Sequence, residues 1–244
     1  MKLYIDAGHG GTDSGAVGNG LVERDLNVQV ANLLADLMRG SGVTVKQNRT
    51  ASGAGATMGL NDRIKDANNW GADAYISVHT NSAAGTAGTG FEIFHFSGGG
   101  KSKEMATAID NEVRKFWTSR GIKTRVEGGK DFFAVIRDTK APAVLAEMAF
   151  LNNPSDAAKL KDPKWLLQIA EAYAKGICAA FGVKPSAPPA TTQPKEVIYR
   201  VRKVWSDERS QVGAYKDLQN AINMCNQVNP YSVYDENGKQ VYPK

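Results

Sequence analysis

The sequence has few cysteines, and its apolar and basic residues are dispersed rather than gathered into membrane spans or basic arms. It has two cysteines and three histidines among 244 residues, no long apolar run, and no block of lysines or arginines. Cys178 and Cys225 lie far apart, each in a helix-like apolar pattern, and read as free buried thiols suited to a reducing place of synthesis. A membrane helix needs ~18 or more consecutive apolar residues, and none occurs. A basic, apolar and small-residue leader is also missing, which predicts a chain made in the cytoplasm without a signal peptide. The net charge of +5 is modest and dispersed, an argument against nucleic acid as a partner. What remains is ordinary globular material, 42% hydrophobic and 23% charged, enough for a sizeable core and a second small unit.

The stretch "PSAPPATTQP", residues 185 to 194, holds four of the nine prolines and no charge. It predicts an extended linker over residues 185–195, dividing a domain at 1–184 from a small one at 196–244. In the first part strand-like and helix-like patterns alternate. "KLYID", "VTVKQNR", "DAYISVH", "GFEIFHF" and "AVLAEMAF" read as strands. Helical spacing runs from Leu26 to Met38, Leu60 to Trp70, Ser102 to Arg120 and Trp165 to Phe181. Such alternation predicts an α/β fold, a mainly parallel or mixed sheet with helices on both faces. The second part predicts a small α+β unit: a strand in "VIYRVRKVW", a helix over Val212 to Val228, and a hairpin at the Asn-Gly of "YSVYDENGKQVY". About fifty residues bury little apolar area, so pairing with a second copy is one expected solution.

Parallel sheets collect ligands beyond the carboxyl ends of their strands. His9 follows the first strand and His79 ends "DAYISVH", so both point to one rim, with Glu23 just before the first amphipathic helix. Two imidazoles and a carboxylate, with a position left for water, match a catalytic zinc site. Gly8, Gly10 and Gly11 would let the chain wrap around the ligand. A structural histidine and a phosphate-binding glycine turn are the alternatives, although no Gly-Lys-Ser/Thr ending follows. Glu147 lies in the most apolar strand, where a carboxylate needs a task or a partner; proton transfer and an ion pair with Arg137 are the two readings. His95 alternates with Phe94 and Phe96 and reads as non-catalytic, and Asn81 reads as a substrate contact or a turn residue.

"YIDAGHGG", "VERDLNVQVANLL", "LNDRIKDANNWGADAYISVHTNS", "GFEIFHF" and "AVIRDTKAPAVLAEMAFLNNPSDAAKL" occur in order over residues 1 to 182. Together they resemble the zinc-dependent N-acetylmuramoyl-L-alanine amidases of the amidase-3 type. The resemblance implies His9, Glu23 and His79 as zinc (Zn2+) ligands and Glu147 as the catalytic glutamate. The implied reaction is hydrolysis, by zinc-activated water, of the amide between N-acetylmuramic acid and the first L-alanine of the peptidoglycan stem. One departure is Ala149, where that family commonly has glycine. The tail from Tyr199 looks like small modules of clostridial cell-wall lysins and distantly like half of a SPOR-type repeat, which implies attachment to a Gram-positive wall polymer. Its aromatics, including Trp205 and Tyr234, read equally as sugar-stacking faces or as core. A wall amidase without a leader is expected to act after the membrane opens, as a phage or prophage endolysin, or as a mother-cell lysin in sporulation. A non-cutting wall binder and a zinc peptidase of the stem peptide are the competing readings.

Overall fold

The structure, a computed structural model, describes residues 1–51, 58–186, 198–216, 218–228, 230–235 and 238–243, with Gln219 described by its backbone alone. The chain divides into two compact units, Met1–Gln193 and Pro194–Lys244. Most of the Pro-rich stretch lies outside the described residues. Among the described residues no helix is long and apolar enough to cross a membrane.

In the first unit the elements run β1 (Lys2–Ala7), β2 (Val17–Gly18), β3 (Leu21–Val22), α1 (Glu23–Gly40), β4 (Thr44–Gln47), α2 (Leu60–Trp70), β5 (Ala74–Asn81), β6 (Phe91–His95), α3 (Gly100–Val113), β7 (Ser119–Lys123), β8 (Val126–Glu127), β9 (Lys130–Asp131), α4 (Ala134–Arg137), β10 (Ala143–Phe150), α5 (Pro154–Leu160) and α6 (Pro163–Phe181). Six strands form one sheet in the order β4-β1-β5-β10-β6-β7. Every neighbouring pair is parallel except β10 with β6. The two-residue period of a strand sorts the side chains. Leu3, Ile5, Ile76, Val78, Val144 and Ala146 join the larger core with α1, α3 and α6. Tyr4, Tyr75, Ala143 and Leu145 join a smaller core with α2 and α4. That second face is thinly covered toward the strand ends, and the polar residues of the site lie there.

Local chemistry sets the helix ends. Asn153 caps α5 by accepting from the amides of Ser155 and Asp156, with Pro154 at the first helical position, and Asp162 with Pro163 repeats the device on α6. Helices α3 and α6 pack closely at Gly176, where a Cβ would stand 2.5 Å from the Ile109 Cα.

The helix expected to reach Arg120 ends at Val113. Trp117 leaves the helical path to pack edge-on against Trp165, with ring centroids 5.6 Å apart. Gly121 then takes φ 92°, which no helix contains, and Ser119–Lys123 becomes an edge strand beside β6.

The second unit contains β11 (Tyr199–Arg202), β12 (Gly213–Tyr215), α7 (Leu218–Gln227), β13 (Ser232–Tyr234) and β14 (Gln240–Tyr242). Its antiparallel sheet has the order β12-β11-β13-β14. The helix expected from Val212 begins instead at Leu218, because Gly213–Tyr215 pairs with Tyr199–Val201. The expected hairpin is present as β13 and β14, although Asn237 of its Asn-Gly turn lies outside the described residues. Val201, Ala221, Cys225 and Val233 form its small core, and Tyr199, Tyr215, Tyr231 and Tyr242 pack against them. Tyr234 is buried and meets Trp205 at 5.9 Å. Cys178 and Cys225 are both free and buried.

Candidate metal centre and active site

Alternation along three adjacent strands places Asp6, Ser77, His79, Leu145 and Glu147 on the face shared with α2 and α4. Beyond Ala7 the chain leaves the ladder and turns sharply. His9 itself adopts φ 61°, a left-handed conformation uncommon for a residue with a side chain. Gly10 and Gly11 follow with φ of 127° and 60°. Gly8 serves differently from the expectation of turn freedom: its φ is ordinary, but a Cβ there would collide with the His79 ring. The glycine therefore makes room for one site residue rather than bending the chain.

Glu23 opens α1 and lies between the two imidazoles. Its Oε1 stands 3.1 Å from His9 Nε2 and 3.0 Å from His79 Nδ1. Oε1 also accepts from the Thr80 amide at 3.1 Å, and Oε2 accepts from the Ala16 amide at 2.9 Å. One donor atom from each of His9, Glu23 and His79 lies within 4.8 Å of the others. The other nitrogen of His9, Nδ1, lies 2.9 Å from Asp13 Oδ2, which fixes the orientation of the ring. The donor set and its convergence fit a zinc-like cation.

The charges point the same way. Burial pushes the Glu23 carboxyl up, but hydrogen bonds and charge from His79 and His9 outweigh it and hold the group well below the usual range. Burial pulls His9 down, yet Glu23 and then Asp13 bring it up to about 9. Burial pulls His79 down as well, but Glu23 and Glu147 outweigh it and raise the imidazole, so a cation binding here would compete with protons for the ring nitrogens.

Glu147 stands in register with His79 on the neighbouring parallel strand. Its Oε2 is buried without a hydrogen-bond partner among the described residues. Burial, reinforced by the charges of Glu23 and Glu92 and opposed by His79, pushes the carboxyl up to about 7. Arg137 does not pair with it: that guanidinium binds Asp138 at 2.8 Å and the Asp131 carbonyl at 3.0 Å. His9, Glu23, His79 and Glu147 all line one cavity of about 760 Å³, walled further by Leu60 and Phe132. Asn81 lines it too, and donates to Glu92 at 2.8 Å. His95 is buried on the opposite face, in register with Val144. Ala149 is fully buried in β10, beside a register shift between Glu147 and Phe150.

Two contributors escaped the sequence reading. Asp13 sits four residues beyond His9, a spacing with meaning only once the loop closes through Gly10 and Asp13. Asn27, one helical turn after Glu23, donates to the Gly8 carbonyl at 3.2 Å and accepts from Thr80 Oγ1 at 3.0 Å. Its i+4 relation to Glu23 was the available signal.

The sheet gathers two imidazoles and two carboxylates over its strand ends, an arrangement compatible with metal-assisted hydrolysis. Residues 3–179 match the family described as N-acetylmuramoyl-L-alanine amidase, and the chain belongs to that family. It is thus a peptidoglycan hydrolase, an enzyme for the bond between N-acetylmuramic acid and L-alanine. Among relatives, the sporulation-specific N-acetylmuramoyl-L-alanine amidase of Bacillus subtilis is 34% identical over 230 residues, 92% of this chain and 79% of that protein. The endolysin of Bacillus phage SPP1 is 35% identical over 190 residues, 75% of this chain and 66% of that protein. The catalytic domain of CwlV, an N-acetylmuramoyl-L-alanine amidase from Bacillus (Paenibacillus) polymyxa var. colistinus, has a TM-score of 0.68 at 31% identity, covering 75% of this chain and 99% of that one.

Proposed function

We propose that the amide is hydrolysed at a zinc ion held by His9, Glu23 and His79, with Glu147 as general acid and base. The observation that carries this reading is the placement of Glu147 beside the three converging donors, in register with His79 and facing the same cavity. When bound, zinc supplies Lewis acidity and a more acidic water. Glu147 would accept a proton from the attacking water and return it to the leaving amine of L-alanine. A buried carboxyl facing the same cavity, with one oxygen free of hydrogen bonds among the described residues, suits both transfers. Asp13 would hold the His9 ring in place through Nδ1. The test is elemental analysis: one zinc per wild-type chain, with clear loss in His79→Ala. Full occupancy in that variant would remove His79 from the ligand set.

In this reading the second unit holds the enzyme on a Gram-positive wall polymer, raising local substrate concentration through a tether. Its small core favours self-association as well, giving a homodimer through that unit. The setting we favour is lysis from within, by an endolysin that reaches the wall once the membrane opens; similarity to the SPP1 endolysin supports it. A second setting, a mother-cell lysin of sporulation, is supported by the similarity to the sporulation-specific amidase. That similarity covers 92% of the chain, more than the first unit alone supplies.

A further inference from the structure

We infer that Arg49 and Arg63 are positioning residues that lock the His9 turn and thereby set the affinity of the site for its cation. The inference rests on the metal-site reading above and concerns what holds that site together.

The segment Ala7-Gly8-His9 leaves the sheet just before it delivers the His9 ring, and Ala7 is the last residue of β1 paired in the sheet. Three consecutive carbonyls there, of Ala7, Gly8 and His9, are taken up by side chains. Arg49 Nε donates to the Ala7 carbonyl at 3.3 Å and to the His9 carbonyl at 3.2 Å. Its Nη2 donates to the Gly8 carbonyl at 2.9 Å and to the Arg24 carbonyl at 2.7 Å. Arg63 approaches from α2, with Nη2 donating to the His9 carbonyl at 3.2 Å and to the Met58 carbonyl at 2.9 Å. Arg63 is itself fixed by the fully buried Asp6, 2.9 Å from Nη1. Asp6 in turn accepts from Ser77 Oγ and Asn48 Nδ2, both at 2.7 Å. Arg49 and Arg63 are 8% and 7% exposed, so solvent barely competes for these bonds.

Two consequences follow from this geometry. A non-glycine residue with positive φ persists only where its surroundings over-determine it, and His9 receives that constraint from two guanidinium groups on one carbonyl. Arg49 also spans the main chain beside two of the three ligands, joining Gly8 and His9 to Arg24, the neighbour of Glu23. A planar fork with five donors is needed for such a task; an ammonium presents its donors from one point and cannot reach the same set. Loss of the fork should therefore loosen the spacing of His9 and Glu23 before it unfolds the sheet.

The test uses the full chain with Arg49→Lys and Arg63→Lys, and Asp6→Asn as a milder change that loosens Arg63 without removing it. Zinc affinity is measured by competition with a chromophoric chelator, the ligand field by the electronic spectrum of the cobalt-substituted protein, and thermal stability on metal-free samples. Leu166→Ala, in the core on the other face, serves as the destabilised control. The expected result is a drop in zinc affinity of about 10- to 100-fold in the arginine variants, with an altered cobalt spectrum. The control should lose stability yet keep wild-type affinity and spectrum. If Arg49→Lys fails to fold, Arg63→Lys and Asp6→Asn carry the same readouts. Variants that lose stability but bind zinc as tightly as wild type would overturn this inference alone. A wild-type chain that binds no zinc would overturn the metal-site reading, and this inference with it.

Discussion

Glu147 and His79 face each other in register across the parallel strands β10 and β5. Strand geometry thus fixes a buried carboxyl beside an imidazole of the candidate metal centre with no loop between them, and sites built on strands are held more tightly than sites on loops. Exchanging Glu147 for Gln should lower turnover on soluble muropeptides by ~10²- to 10⁴-fold, the usual worth of a positioned acid–base group. Zinc content should not change. Substantial remaining turnover would remove Glu147 from its role.

Gly8→Ala probes the clearance beneath His79. The added methyl would have to share space with the imidazole, so the ring must leave its present position. We expect reduced zinc content and activity with the sheet intact, read by elemental analysis alongside far-ultraviolet circular dichroism. Wild-type zinc content would show that the ring has room elsewhere.

The metal-free protein should lose stability as the pH rises. Glu147 keeps its proton up to about 7 when folded, against 4.5 for the unexceptional group, so its favourable contribution fades across that interval. His9, raised from 6.5 to about 9, loses its contribution over the next interval in the same direction. Glu23 works oppositely: its contribution is present above 4.5 and disappears as the pH falls through its lowered value. Denaturant midpoints of chelated protein should therefore decline from about pH 5 to about pH 9, and Glu147→Gln should flatten the part below 7. An unchanged slope in that variant would contradict the assignment.

Much of this was legible from the sequence because strand and helix periods are local. "AVLAEMAF" is β10 and Leu60–Trp70 is α2, each read to the residue. Placing His9 and His79 on one rim needed only the parallel-sheet rule. The arginine cradle was not legible: Arg49 and Arg63 act on carbonyls some forty and more residues away, and nothing in local spacing encodes that meeting. The edge strand β7 and the start of α7 were misread for a related reason. Ser119–Lys123 and Gly213–Tyr215 owe their strand conformation to neighbours across the sheet, Phe91–Phe94 and Tyr199–Val201, rather than to their own pattern.

A chain ending at Ser186 should hydrolyse soluble muropeptides at close to the full rate but sediment less with purified walls. The candidate metal cluster lies wholly in the first unit. Equal retention of both proteins on walls would argue against a targeting role for the second unit.

The most direct test of the central claim is end-group analysis of purified Gram-positive peptidoglycan digested by the whole protein, with and without a zinc chelator. The account predicts new amino-terminal L-alanine without new reducing sugar ends, abolished by the chelator and restored by zinc. Release that persists under chelation, or a different new amino terminus, would contradict it.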